Sequence, residues 1–218
     1  MYLYNIHTHK ACTSDAGYQV RCILNTYPDT FYAQKESSPD VWFSCGIHPW
    51  HTFEAERKMD LLRSIASQDR VVAIGEAGLD KLRGESISRQ IEVFSAQIEL
   101  SEQIRKPLII HCVKAWEELI SLYKSYRPDM PWIIHGYRGN VEQTKQLVKL
   151  GFRFSIGSKF NRNSLAYIPL DSLFCETDDS NVSICRIYSD LCTISGLGVK
   201  LFCDCIEGNS IKMFYFSH

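Results

Sequence analysis

His7 and His9 are separated by one residue, so in an extended chain both imidazoles project from the same face. Two imidazoles aimed at one point make half of a metal site. Four more ligand-type residues stand at the ends of apolar runs. Glu76 follows Val71–Ile74, His111 follows Leu108–Ile110, His135 follows Trp132–Ile134, and Asp178 lies just past Leu173–Cys175. A mixed set of histidines and carboxylates suits Zn²⁺, Mn²⁺ or another divalent ion at a catalytic site. The set is large enough for two ions. A glutamate can bridge two metals about 3.5–4 Å apart, and the water they share is deprotonated near neutral pH, a nucleophile that needs neither Ser nor Cys. No Gly-x-Ser-x-Gly elbow, Walker loop or Gly-x-Gly-x-x-Gly fingerprint points to another mechanism.

These residues need a scaffold that brings strand ends together. Eight apolar runs recur along the chain: Tyr2–Ile6, Gln19–Asn25, Val41–Cys45, Val71–Ile74, Leu108–Ile110, Trp132–Ile134, Phe152–Ile156 and Leu173–Cys175. Several are apolar continuously rather than alternately, which suits strands covered on both faces in a parallel sheet. Amphipathic stretches lie between them. Ile87, Ile91, Phe94 and Ile98 form one stripe, in a helix stopped by Pro107. Trp116, Leu119, Ile120 and Tyr123 form another. Asn140 with Gln143 reads as an N-terminal capping pair for a third helix, which Gly151 closes. This alternation predicts an α/β fold, a (β/α)₈ TIM-type barrel. The segments after the first, second and seventh runs are too short for full helices, so the barrel is expected to be trimmed. Its active site would collect at the carboxyl ends of the strands, where the six ligands fall.

The 218 residues are 45% hydrophobic and 22% charged, ordinary for a globular chain and enough for one domain over residues 1–218. Lys and Arg total 24 against 25 Asp and Glu, so no global basic field holds nucleic acid and any polyanion must be gripped locally. The strand-following loops supply such a patch in Lys10, Lys81, Arg83, Lys114, Arg138, Lys159 and Arg162, and this asymmetry points to an anion such as a phosphate. Trp50, Tyr137 and Phe160 in the same loops could stack on bases. No apolar stretch approaches the ~20 residues of a membrane span, and Met1–Asn5 reads as a strand rather than a leader. The nine cysteines contain no Cys-x-x-Cys pair, which points to reduced thiols, a cytoplasmic location and, for Cys203-x-Cys205, core packing. A monomer is expected.

In six ordered segments the chain resembles the TatD family of metal-dependent deoxyribonucleases. They are Asn5-Ile-His-Thr-His9, Gly46-Ile-His-Pro-Trp50, Ile74-Gly-Glu-Ala-Gly-Leu-Asp80, Pro107-Leu-Ile-Ile-His-Cys112, Ile134-His-Gly-Tyr137 and Phe174-Cys-Glu-Thr-Asp178. The tail also fits, with Asn209 shortly before Met213-Phe214. The resemblance implies two divalent metal ions (Zn, Mn or Mg). His7 and His9 would bind the first with Asp178 beside it, His111 and His135 the second, and Glu76 would bridge them. It also implies that Asp178 orients or deprotonates the attacking water, and that His48 contacts the substrate. Lys10, Lys81, Arg138 and Lys159 join His48 as expected substrate contacts, for DNA or another phosphodiester. Asn5 stands where the family usually has Asp, and Lys10 where it more often has an apolar residue. Two competing expectations share the barrel: a binuclear amidohydrolase acting on an amide or lactone, and a non-catalytic barrel binding metal or nucleic acid. Amidohydrolases of the first kind often bridge their metals with a carboxylated lysine at the strand where this chain has Glu76.

Overall fold

The computed structural model describes residues 1–214 and 216. In chain order its strands and helices are β1 (Tyr2–Thr8), β2 (Ser14–Asp15), β3 (Tyr18–Thr26), α1 (Phe31–Ser37), β4 (Trp42–Cys45), α2 (Ala55–Ala66), β5 (Val71–Asp80), α3 (Ile87–Ile104), β6 (Leu108–Val113), α4 (Trp116–Tyr126), β7 (Trp132–Ile134), α5 (Val141–Leu150), β8 (Arg153–Ile156), α6 (Arg162–Leu165), β9 (Leu173–Cys175), α7 (Ile184–Ser195) and α8 (Val199–Met213). Each of the eight apolar runs contains or overlaps a strand. The three short connections behave as their lengths require. The two-residue β2 follows β1, the seven-residue α1 follows β3, and the four-residue α6 follows β8.

The described residues form two compact units. In the first (1–24, 40–42 and 133–216), β1 runs parallel to β3, while β7, β8 and β9 run parallel to one another. A parallel bridge between Thr8 and Asp178 ties the end of β1 to the chain just past β9, through Asp178 N–H to His7 O at 3.0 Å and His9 N–H to Asp178 O at 3.1 Å. Phe154, Phe174, Phe202 and Phe214 are fully buried in this unit, and Phe174 packs on Phe214.

In the second unit (25–39 and 43–132), β4, β5 and β6 are parallel, and all ten residues of β5 are buried, as a strand covered on both faces requires. Phe94 of α3 meets the buried Trp132 edge to face, and Phe31 meets Phe43. Truncating an aromatic of this kind to Ala costs about 3–5 kcal/mol.

Helix α3 is turned relative to its expected apolar stripe. Ile87 and Ile91 are only half-buried, while Gln90, Val93, Phe94, Gln97, Ile98 and Ser101 face inward. The two glutamines, seven residues apart, go inward because each completes backbone hydrogen bonds that nothing apolar could make. Gln97 accepts from Ile47 N–H at 2.7 Å and donates to Ile47 O at 3.1 Å. Gln90 accepts from Asp80 N–H at 2.7 Å and donates to the carbonyls of Asp80, Arg83 and Glu85. The α5 caps match expectation: Asn140 accepts from Gln143 N–H at 2.9 Å, and Gly151 ends the helix at φ +98°.

Two register slips place candidate ligand residues. Between Ile74 and Ala77, β5 spends three residues against two on β6, and Glu76 sits in that bulge. Between Asn5 and Thr8, β1 does the same against β3, around His7. Such bulges re-aim a side chain that a regular strand would point elsewhere. Gly75, at φ +147°, makes the first one possible, since a Cβ there would lie 2.6 Å from Ile109 O.

Candidate metal centre

The second unit carries one ligand cluster. Glu76 is 4% exposed and its Oε1 lies 2.9 Å from His111 Nδ1 and 3.1 Å from His48 Nε2. His111 is held on its other side too, with Nε2 3.2 Å from Asp80 Oδ2. Donor atoms of His48, Glu76 and His111 all lie within 4.8 Å of one another, close enough to share an ion. His48 is nevertheless an unsuitable ligand. Its Nδ1 accepts a hydrogen bond from Trp50 N–H at 3.1 Å, so the proton of the neutral ring sits on Nε2, which then donates to Glu76. His48 therefore steadies the carboxylate. His48, an expected substrate contact, is buried, with its protonated nitrogen turned to Glu76.

The first unit carries the other cluster. His7 is fully buried and its ring centre lies 4.3 Å from that of His135 and 5.4 Å from that of His9. Asp178 Oδ1 is 3.6 Å from His7 Nε2 and 3.4 Å from His9 Nε2. Donor atoms of His7, His135 and Asp178 also fall within 4.8 Å of one another. Burial alone would raise the Asp178 pKa, but hydrogen bonds from His7 and His9 and the charges of His135 and His7 outweigh it and hold the carboxyl well below its usual range. Asp178 takes the left-handed backbone conformation, φ +54°, that aspartate tolerates better than most residues.

Asn5 supports this turn. Its Oδ1 accepts from Thr177 N–H at 3.0 Å and its Nδ2 donates to Thr177 Oγ1 at 2.8 Å. A carboxylate could keep the second bond only by taking the Thr177 hydroxyl proton away from Thr8 Oγ1, so the amide latches the residue next to Asp178 with every partner satisfied and no added charge.

The expected cations separate into groups. Arg138 and Lys159 line a cavity of about 100 Å³ together with Ser158, Ser180, Glu176 and Asp178. Lys10 donates to Asn181 Oδ1 in the same unit. Lys81 is paired with Glu118 at 2.7 Å, which ties it to α4. Of the expected stacking aromatics, Trp50 is 40% exposed, with Arg83 4.6 Å over its ring. Tyr137 is buried, hydrogen-bonded to Thr144 and packed on Phe154, so it is a core residue and not a base platform. Phe160 lines a second small pocket with Tyr137 and Leu165. All nine cysteines are free thiols, and Cys203 is buried as core packing requires.

Sequence reasoning missed four supporting residues. Gln90 and Gln97 hold the loops after β5 and β4, and their seven-residue spacing on an otherwise apolar face was the available signal. Asp80 and Glu176 are buried carboxylates flanking candidate ligand histidines; both stand in the ordered segments quoted above but carry no spacing cue of their own. At Asp80 burial favours the neutral acid, yet donors from Trp50, Leu82 N–H and His111 prevail and lower its pKa.

Parallel strands alternating with helices, with histidines and carboxylates at their carboxyl ends, define the α/β, (β/α)₈ TIM-type class. Solved structures bear this out. A TatD homologue of Escherichia coli K12, YJJV, superposes with a TM-score of 0.85 at 21% identity, covering 98% of each chain. A TatD family hydrolase of Entamoeba histolytica gives 0.82 at 18% identity, covering 99% of this chain and 98% of the other. The family model for TatD related DNase matches residues 7–182, and the chain belongs to that family. Among curated relatives, a protein named 3′-5′ ssDNA/RNA exonuclease TatD from Rahnella sp. is 32% identical over 161 residues, 67% of this chain and 61% of its own. A putative deoxyribonuclease TATDN1 homolog of Enterocytozoon bieneusi is 30% identical over 160 residues, 66% and 58% respectively. The Escherichia coli K12 metal-dependent hydrolase YcfH is 32% identical over 148 residues, 64% and 56%. The chain thus spans about three fifths of the length of these curated relatives.

Proposed function

We propose that the protein is a divalent-metal-dependent hydrolase of the TatD type that cleaves phosphodiester bonds of DNA. The observation that carries this reading is the convergence of imidazole and carboxylate donors, within 4.8 Å, in a cluster at the strand ends of each unit. That nitrogen and oxygen set suits Zn²⁺ or Mn²⁺, and the buried histidines and ionised carboxylates fit a cation better than they fit an apolar ligand. In the first unit His7, His9, His135 and Asp178 would donate to metal, and in the second Glu76 and His111 would. When bound, the ions neutralise phosphate charge and lower the pKa of water.

The chain's own residues do the rest. Asp178, kept ionised by its histidine neighbours, accepts a hydrogen bond from the incoming water and so orients it. His48 fixes the Glu76 carboxylate through Nε2. Arg138 and Lys159, with the Ser158 and Ser180 hydroxyls, bind the phosphate oxygens in their shared cavity, and the half-exposed Trp50 offers a face to a base. The free thiols suit a reducing compartment, and the reading places the protein in the cytoplasm and takes it to act as a monomer. Among the described residues, no helix is long and apolar enough to cross a membrane.

The test is cleavage of end-labelled single-stranded and duplex DNA by metal-stripped protein reloaded with Mg²⁺, Mn²⁺ or Zn²⁺, with a lactone and a cyclic amide assayed in parallel. Metal-dependent DNA shortening that Glu76→Ala abolishes is expected. Hydrolysis of the lactone or amide alone would overturn the substrate assignment.

A further inference from the structure

A neutral imidazole has one lone pair and one N–H, so whatever accepts the N–H decides which nitrogen remains to bind a metal. In His111, Nδ1 lies 2.9 Å from Glu76 Oε1 and Nε2 lies 3.2 Å from Asp80 Oδ2. In His135, Nδ1 approaches Glu176 Oε1 to 3.4 Å, an ion-pair distance that forms no hydrogen bond in this geometry. Neither Asp80 nor Glu176 belongs to the six expected ligands, yet they are 2% and 0% exposed. A buried carboxylate is costly unless other groups compensate it. Both are locked from outside the centre. Trp50 Nε1–H donates to Asp80 Oδ2 at 2.6 Å and Leu82 N–H to Oδ1 at 2.8 Å, while Gln90 grips the Asp80 backbone at both N–H and C=O. Gly136 N–H donates to Glu176 Oε1 at 2.7 Å.

We propose that Asp80 and Glu176 are positioning residues of the metal centre. Asp80 accepts the Nε2–H of His111, and Glu176 is the carboxylate that His135 Nδ1 faces and would hold protonated once its Nε2 binds metal, so the two ligands present opposite nitrogens, Nδ1 and Nε2 respectively. This rests on the reading that His111 and His135 bind metal. The carboxylate charge on each N–H also makes the metal-facing nitrogen a stronger donor.

Glu176→Gln isolates the charge. The amide oxygen can keep the Gly136 and His135 contacts, and the NH₂ takes the place of Oε2, which is buried without a hydrogen-bond partner among the described residues. Asp80→Asn is the companion variant.

The experiment measures Zn²⁺ and Mn²⁺ dissociation constants by chelator competition on the whole chain, and records ¹⁵N-histidine NMR spectra of the unaltered Zn²⁺-loaded protein. We expect each variant to weaken metal binding about 10–100-fold, with the melting temperature of the metal-free chain recorded beside it to separate loss of affinity from the cost of a buried amide donor. The unaltered protein should show His111 protonated at Nε2 and His135 at Nδ1. Dissociation constants within twofold of the unaltered protein, or the opposite tautomers, would overturn the proposal, and the NMR result decides it even where a variant does not fold. Unchanged affinity in protein that still cuts DNA sinks this inference alone. Weakened affinity in protein that never cuts DNA supports it and sinks only the substrate assignment. An unaltered chain that binds no divalent ion overturns both.

Discussion

The Nδ1 atom of His111 stands 2.9 Å from Glu76 Oε1, although the two residues are 35 positions apart in the chain. A β5 bulge turns Glu76 toward β6, and the register pairs Gly78 with His111 beside it. Removing either side chain should take away a metal donor as well as a hydrogen bond. Glu76→Ala, His111→Ala and His135→Ala are each expected to lower turnover by more than the about 10–100-fold that loss of an outer supporting group costs. Bound metal per chain, measured by elemental analysis after dialysis, should fall in step.

Arg138 and Lys159 share a cavity with Asp178, whereas Lys81 is bound to Glu118. Arg138→Ala and Lys159→Ala should therefore raise KM for DNA, with kcat changed far less. Each should also reduce the slope of log affinity against log salt by about 1. Lys81→Ala should leave both quantities unaltered. Equal effects from all three would mean a diffuse field rather than a local phosphate grip.

Gly78, at φ +143°, faces β6 so closely that a Cβ would lie 2.0 Å from the His111 carbonyl oxygen. Both the backbone conformation and the space exclude any other residue. Gly78→Ala should destabilise the fold by about 3 kcal/mol or more, since strain and forced separation of β5 from β6 add. Thermal melting of the metal-free chain checks it, and a change under about 1 kcal/mol, inside the ordinary range for surface substitutions and small repacking, would contradict the close packing seen here.

Burial pushes the Cys22 thiol up to about 11, an effect that the hydrogen bond from Cys12 N–H only partly offsets. Cys45 is raised by burial as well. The folded chain therefore keeps a Cys22 proton that the unfolded chain loses above about pH 9. Stability from this site is fully present below pH 9 and declines as pH rises to about 11, by about 3 kcal/mol in total. Denaturant melts between pH 8 and 11 should show this fall, and Cys22→Ala should be shallower by about one proton's worth of slope. Identical slopes would refute it.

Much of this protein was legible along the chain. Continuous apolar runs such as Val71–Ile74 predict strands covered on both faces, and β5 is buried throughout. Asn140 and Gly151 mark the ends of α5 because capping is a local matter of backbone donors and φ. The His-x-His pair and the strand-end residues pointed to the histidines and carboxylates that cluster in each unit, since strand periodicity and side-chain chemistry are written in sequence. Tertiary structure decided what those side chains face. The inward turn of Gln90 and Gln97, the bulges that aim Glu76 and His7, the burial of Tyr137 and the pairing of Lys81 with Glu118 all depend on partners distant in sequence. The proton on His48 is set locally, by a backbone N–H two residues away, but the Glu76 carboxylate that receives it is supplied by a distant strand. A hydrogen bond or an ion pair is a relation between two places, and residue type at one of them does not say what stands at the other.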